Sequence, residues 1–261
     1  MDSSQADAYL RRIGAARPTA ADADALRTLQ LRHLLTVPFE NLSIHLGEDV
    51  VLEEAALVEK IVGARRGGFC YELNGAFAAL LRSLGFGVDL LAARVFAEGG
   101  LLGPPFDHMA LRVTTADGTG PWLADVGFGR HTHHPLAYRS RAEQHDPGGV
   151  FRITETAEGD LDVSRGGEAV YRVEQRPHVL GDFEPTCWWQ CTSPASHFRK
   201  SLVCSKLTEA GRVTLSGRRL VLTGGGDRRE ERKLGDGEIL AAYREHFGIT
   251  LDREPVVAPT G

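Results

Sequence analysis

Cys70 has the residue type and the setting of a working nucleophile. It lies in the stretch RRGGFCYELNGAF, residues 65–77, between two glycines and the start of an apolar helical pattern. A helix N-terminus presents unpaired N–H groups and a partial positive charge, which lower the pKa of a thiol and favour the nucleophilic thiolate. Arg65 and Arg66 add positive charge nearby. The stretch alone fits a buried structural cysteine equally well, because free cysteines are among the most buried residues.

A histidine base with a carboxylate behind it would activate such a thiol. His108 opens the predicted strand HMALRV, and Asp125 lies near the end of the next predicted strand, WLADVGF. A hairpin through ADGTG brings both residues to the same end of the sheet. Simple pairing about Gly118 leaves them offset by a few residues, so a direct contact requires a shifted register or a bulge.

The elements that must position these residues change character along the chain. Apolar residues at helical spacing predict four helices, which start near residues 3, 19, 53 and 70, the last of them ending at Gly85. From residue 87, short apolar runs between Gly, Pro and Asp clusters predict an antiparallel barrel or sandwich. Beyond about residue 190, a predicted hairpin with a turn at 224–226 precedes a predicted helix, GEILAAYREHFG.

Composition excludes several classes of partner. The 261 residues include 30 Lys and Arg against 35 Asp and Glu, a net charge of −5 without any basic run, which argues against nucleic acid. No apolar run approaches the ~20 residues that a membrane span needs. The start, MDSSQADAYLRR, lacks the apolar core of a signal peptide. We therefore expect a cytoplasmic protein that binds neither nucleic acid nor membrane.

We expect no metal site and no disulfide bond. The spacing of Cys70, Cys187, Cys191 and Cys204 fits no zinc pattern, and thiols in the cytosol usually stay reduced. Three histidines occur in RHTHHPL, residues 130–136, but without ligand spacing or an acidic partner. That segment is instead predicted to be a polar loop lining the cleft.

Five blocks, in order and at about the right spacing, resemble the arylamine N-acetyltransferase family. The blocks are PFENL at 38–42, RRGGFCYELN at 65–74, DHMALRV at 107–113, LADVGFG at 123–129 and SPASHF at 193–198. The resemblance implies an α+β fold with a cysteine-protease-like core. Its three expected domains are a helical bundle over 1–86, an antiparallel β-barrel over 87–190 and an α/β lid over 191–261.

The resemblance also implies a reaction and its residues. Cys70, His108 and Asp125 would form a catalytic triad that moves acetyl from acetyl-CoA to an aromatic amine, hydrazine or hydroxylamine in a ping-pong mechanism. Matching positions imply that Glu40 and Arg66 form an ion pair that supports the active-site loop. The alternative is a surface ion pair with no bearing on catalysis. The implied aromatic walls of the acceptor pocket are Phe39, Tyr71, Phe128 and Phe198. The implied contacts of coenzyme A are Gly129 and Thr132.

Two positions depart from the family pattern. Asp107 stands where the family has Thr or Ser, and a second carboxylate there could raise the pKa of His108 or disfavour an acidic acceptor. Cys187 and Cys191 stand where Asn and Ser are more usual. The acceptor specificity is therefore left open by the sequence.

The same residues are also compatible with functions other than acetyl transfer. An amide synthase that closes a macrolactam from a carrier-bound aryl-amine chain would use the same three residues. A cysteine hydrolase of the papain or transglutaminase type also needs Cys, His and a polar orienting group. A binding module with a structural cysteine is the non-enzyme alternative. The preferred acyl donor and the subunit number, a homodimer included, are open.

Overall fold

The computed structural model, which describes residues 1–225 and 228–257, combines N-terminal helices with two antiparallel sheets. It confirms the predicted α+β class. Gly226 of the predicted turn and the last four residues of the predicted third domain lie outside the described residues. Within the described ranges, no helix combines the length and the apolar character that a bilayer span requires.

Helices form the first part of the chain, as the periodicity predicts. They are α1 (Ser3–Ile13), α2 (Ala23–Thr36), α3 (Leu42–Leu46), α4 (Glu54–Val58), extended by a π-helical turn (Glu59–Gly63), and α5 (Cys70–Ser83). Helix α2 starts four residues later than predicted. The reason is its cap, because the Asp22 carboxylate accepts a hydrogen bond from the Ala25 N–H at 2.8 Å.

Strands are the main secondary structure after α5, and one short strand lies among the helices. They are β1 (Phe39–Glu40), β2 (Gly87–Val95), β3 (His108–Thr114), β4 (Trp122–Ala124), β5 (Leu136–Ala137), β6 (Gln144–Asp146), β7 (Gly149–Glu155), β8 (Leu161–Arg165), β9 (Glu168–His178), β10 (Val203–Thr208), β11 (Gly211–Ser216), β12 (Arg219–Gly224) and β13 (Arg229–Lys233). Eight of them form one sheet in the order β5-β4-β3-β2-β9-β8-β7-β6. Its edge strands, β5 and β6, are consecutive in the chain, so the sheet is a nearly closed barrel around Phe151, Ile153 and Tyr171.

The second sheet joins the helical part of the chain to its C-terminal part. Its order is β1-β10-β11-β12-β13, so a strand from the helical part pairs with the C-terminal strands. Helix α8 (Glu238–Ala242) and the π-helical turn after it pack Tyr243 and Phe247 onto this sheet. Helices α6 (Glu184–Thr192) and α7 (His197–Lys200) connect the sheets. The predicted boundary at residue 190 falls inside α6, and the division into three domains stays a prediction.

A buried ion pair fixes the loop that leads into α5. Arg66 Nε donates to Glu40 Oε1 at 2.9 Å, and Glu40 also accepts from the N–H groups of Leu42 and Gly67 at 2.7 and 3.3 Å. Glu40 is fully buried and Arg66 is 7% exposed, so this is not a surface pair. Burial opposes the charge on Glu40, yet Arg66 holds the pKa of Glu40 below its usual range. The pair therefore ties β1 to the segment that ends at Cys70.

Replacing Glu40 with Gln should lower the free energy of unfolding by about 3 kcal/mol, because it removes the buried partner of Arg66. Urea denaturation followed by circular dichroism measures this loss. Asp7→Asn is the control, since it breaks an exposed pair between Arg17 and Asp7 and should leave the midpoint unchanged. Equal midpoints for Glu40→Gln and the wild type would show that the pair does not support this loop.

Candidate active site

Cys70 is the first residue of helix α5, where the sequence places it. The Glu72 carboxylate accepts from the Phe69 N–H at 3.1 Å and so caps this end of the helix. The approach to the helix is tight, because a Cβ atom added at Gly67 would lie 1.9 Å from the Pro38 carbonyl oxygen. Gly67 is therefore needed for the chain to pass β1.

His108 and Asp125 meet at one end of the β3–β4 hairpin. Leu111 pairs with Ala124, a register shifted by one residue from simple pairing about Gly118. Asp125 directly follows β4, and its Oδ2 atom lies 2.7 Å from His108 Nε2. The shifted register thus supplies the contact that the sequence left undecided. With Nε2 engaged, Nδ1 is the ring nitrogen left for Cys70.

Asn74, which was not predicted as a site residue, holds the Asp125 carboxylate in place. Its Nδ2 atom donates to Asp125 Oδ1 at 2.9 Å, and its Oδ1 atom accepts from the Val126 N–H at 2.9 Å. The Gly127 N–H also donates to Asp125 Oδ1, at 2.8 Å. Asn74 follows Cys70 by four residues on α5, so helical spacing places both on one face. That spacing is the signal that could have found it.

Burial and charge set the protonation of the three residues. Burial alone would lower the pKa of His108, but the Asp125 carboxylate more than offsets this and raises it to about 10. Burial raises the pKa of the Cys70 thiol, and the hydrogen bond from His108 opposes this only in part. The lowered pKa predicted from the helix N-terminus is therefore corrected. A thiolate at Cys70 requires His108 to take and hold its proton.

A cleft of about 610 Å³ opens onto Cys70 and His108. Phe39, Phe128 and Phe198, three of the four predicted aromatic walls, line it. Tyr71 does not, and this prediction is corrected. Its ring is fully buried against Phe69 and Phe183, and its hydroxyl donates to the Phe106 carbonyl oxygen at 2.7 Å. Neighbouring helical residues face different directions, so Tyr71 lies behind the site that Cys70 faces.

A second cavity, of about 400 Å³, adjoins the cleft through Phe39, which lines both. Gly129 lines it too, with a φ of 85° that favours glycine. Four arginines, which we call the arginine cluster, surround this cavity: Arg130, Arg212, Arg219 and Arg229. Thr132, the other predicted coenzyme contact, is only 3% exposed, and its role stays a prediction.

The arginine cluster is short of negative charge. In the described part of the chain, Arg219 and Arg229 both pair with Glu231, and no ion pair involves Arg130 or Arg212. Burial, together with the charges of Arg130 and Arg165, lowers the pKa of Arg212 to about 10. Guanidinium groups that repel one another in a partly buried cavity would be stabilised by an anion.

The histidine segment does not line the cleft. His131 is buried beside Phe128, and burial lowers its pKa to about 4. The backbone N–H groups of His133 and His134 donate to the Asp146 carboxylate at 2.8 and 3.0 Å, and both residues border a different cavity. Among residues 1–225 and 228–257, no group of His, Cys, Asp and Glu side chains is arranged to hold a metal ion. All four cysteines are free thiols.

Known proteins are similar to this chain in both sequence and fold. An N-acetyltransferase family model matches residues 22–256. The chain is 35% identical over 257 residues to the arylamine N-acetyltransferase of Escherichia coli, covering 94% of this chain and 88% of the relative. The solved arylamine N-acetyltransferase of Salmonella typhimurium superposes with a TM-score of 0.88 at 30% identity, covering 100% and 96% of the two chains. A Mycobacterium marinum arylamine N-acetyltransferase in complex with CoA gives a TM-score of 0.83 at 30% identity, covering 93% and 92%.

Replacing Asp125 with Asn should make Cys70 react with iodoacetamide at least ~10-fold more slowly at pH 7, because His108 loses the charge that raises its pKa. The measurement is the pseudo-first-order alkylation rate of Cys70, read by mass spectrometry of its peptide. Asp49→Asn, at an exposed carboxylate, is the charge-matched control and should react like the wild type. An unchanged rate in Asp125→Asn would contradict the assigned role of Asp125.

Proposed function

The chain belongs to the arylamine N-acetyltransferase family, and on that premise we propose that it transfers acetyl from acetyl-CoA to an aromatic amine, hydrazine or hydroxylamine through an acetyl thioester of Cys70. The observation that carries the proposal is that Cys70, at the start of α5, and His108, which is paired with the buried Asp125, face one aromatic cleft. Acetyl-CoA is the co-substrate, and no step calls for a metal.

The first half-reaction loads the enzyme. His108 takes the Cys70 proton, and the thiolate attacks the carbonyl carbon of acetyl-CoA. The tetrahedral intermediate collapses, the C–S bond to coenzyme A breaks, and His108 returns the proton to the departing thiolate. One thioester replaces another, so the step is close to neutral in free energy. The backbone N–H of Cys70 lies in the first turn of α5, where N–H groups have no partner within the helix and can stabilise the oxyanion.

The second half-reaction transfers the acetyl group from Cys70 to the amine. The amine nitrogen attacks the acetyl carbon, His108 accepts a proton from that nitrogen, and the C–S bond to Cys70 breaks as the proton passes to Sγ. Asp125 stays ionised throughout and orients the imidazole, which is the role of the buried carboxylate in a triad. The rings of Phe39, Phe128 and Phe198 provide flat apolar surface for an aryl group. Cys70 is only 3% exposed, which limits the access of water to the acetyl thioester.

The arginine cluster suits the phosphate groups of the donor. Its cavity shares Phe39 with the cleft, so a molecule whose thioester lies at Cys70 could extend past Gly129 towards Arg130 and Arg212. Guanidinium groups bind phosphate by paired, charge-assisted hydrogen bonds. Coenzyme A carries its phosphates at the end remote from the thiol, which agrees with a basic cavity set apart from Cys70.

The purified protein should acetylate 4-methylaniline with acetyl-CoA, and double-reciprocal plots at several fixed amine concentrations should be parallel. A covalent intermediate predicts such lines because each substrate reacts with a different form of the enzyme. Cys70→Ser should reduce kcat by a factor of ~10³ or more. Intersecting lines, or a Cys70→Ser variant with normal turnover, would contradict transfer through Cys70. Acetate released without an amine at the same rate as amide formation would favour the cysteine hydrolase.

Replacing Arg212 with Ala should raise the KM for acetyl-CoA about 10-fold and leave kcat/KM for N,S-diacetylcysteamine, a thioester without phosphates, within twofold. Only the larger donor reaches the cluster, and one lost charge-assisted contact costs roughly this much. Arg152→Ala, an exposed arginine on the barrel, is the matched control. If kcat/KM fell equally for acetyl-CoA and for N,S-diacetylcysteamine, Arg212 would support the fold instead of binding phosphate.

A further inference from the structure

Asp107 places a carboxylate in the cleft beside Cys70 and His108. It lines the same 610 Å³ cavity as those two residues, together with Phe96 and Gly103. Its backbone carbonyl oxygen is 3.9 Å from Cys70 Sγ, so the residue lies at the reacting centre. The proposed triad leaves the Asp107 side chain unused.

The carboxylate is held in one orientation by buried neighbours. Ser196 Oγ donates to Gln190 Oε1 at 2.7 Å, which turns the Gln190 amide nitrogen towards Asp107. Gln190 Nε2 then donates to Asp107 Oδ1 at 2.7 Å, while the Val95 N–H donates to Oδ2 at 3.4 Å. Ser196 is fully buried and Gln190 is 5% exposed. Burial raises the pKa of Asp107, and these two hydrogen bonds oppose that rise by favouring the ionised carboxylate.

The negative charge is not neutralised by an ion pair. The charged side chains that act on Asp107 are His108 and Arg94, and neither pairs with it within residues 1–225 and 228–257. His108 instead bonds Asp125, and Arg94 Nε donates to the Gly103 carbonyl oxygen at 2.7 Å. A partly buried carboxylate without a cationic partner acts strongly on the charge of any molecule that enters the cleft.

The carboxylate lies on a part of the cleft that the arginine cavity does not share. Phe39 lines both cavities, whereas Asp107, Phe96 and Ala97 line only the cleft. The donor's phosphates are therefore attracted to one cavity while the Asp107 charge acts in the other. An acceptor that occupies the cleft after coenzyme A has left meets Asp107 directly.

We propose that Asp107 selects the acceptor by charge, disfavouring aromatic amines with an anionic substituent and favouring neutral or cationic ones. The proposal rests on the proposed transfer reaction and names its acceptor class. Like charges within one cavity repel at low effective dielectric constant, whereas an amide of the same shape meets no such cost. Specificity of this kind is built by excluding the wrong ligand as well as by contacting the right one.

The test compares 4-aminobenzoate, an anion, with 4-aminobenzamide, its neutral counterpart, under saturating acetyl-CoA. In a ping-pong scheme kcat/KM for the acceptor reports only the unloading half-reaction, so changes in loading do not enter the ratio of the two values. Asp107→Asn should raise the benzoate-to-benzamide ratio about 10-fold. Asp107→Ser, which removes the charge without placing an amide near the Val95 N–H, should raise it similarly. Glu98→Gln, at an exposed carboxylate on the neighbouring loop, is the control and should leave the ratio unchanged.

Each outcome decides the matter. A raised ratio in both Asp107 variants, with the control unchanged, supports selection by charge. An unchanged ratio in two folded variants that still form the acetyl-enzyme would overturn it and leave the transferase intact. A wild-type protein that forms no acetyl-enzyme and acetylates neither amine would overturn the proposed reaction and this inference with it. Folding is checked by near-UV circular dichroism.

Discussion

The charge on Asp125 is the constraint on which the rest of the site depends. Asp125 is only 2% exposed, so protein groups must donate the hydrogen bonds that its carboxylate needs. Asn74 and the Gly127 N–H bind one oxygen and His108 binds the other. Each of these donors comes from a different part of the chain. The helix that begins at Cys70, the hairpin that carries His108 and the turn after β4 must therefore meet at one point.

That meeting has a chemical consequence. A buried imidazole would ordinarily be neutral and a poor acceptor for a thiol proton. The fixed negative charge of Asp125 reverses this and raises the pKa of His108 to about 10. Burial makes Cys70 reluctant to ionise by itself. In the proposed reaction, Cys70 as nucleophile and His108 as base are thus coupled through the charge of Asp125. The buried pair of Glu40 and Arg66 supports the same geometry from the other side of the loop.

Much of the site could be predicted from the sequence because its parts are local. Cys70 at a helix start, His108 at a strand start and Asp125 beside the end of the next strand follow from short patterns, and the family resemblance is confirmed by the comparisons. The family resemblance placed Tyr71 in the cleft, whereas its position on α5 turns its ring into the core. The pKa of Cys70 was given the wrong direction because burial depends on the whole fold.

The features that escaped prediction are those assembled from distant segments. The arginine cluster brings Arg130 together with Arg212, Arg219 and Arg229, and no local pattern links these positions. The orientation of Asp107 depends on Gln190 and Ser196, which follow it by more than eighty residues in the chain. The one-residue shift of the β3–β4 register is equally invisible to pairing rules, although it decides whether His108 reaches Asp125.

Intact-mass spectrometry after mixing the protein with acetyl-CoA, in the absence of any amine, shows whether Cys70 carries the acetyl group. Transfer through Cys70 predicts a single acetyl adduct, absent from Cys70→Ala and lost within one turnover when an aromatic amine is added. No adduct on the wild type, or an adduct that persists in Cys70→Ala, would contradict transfer through Cys70.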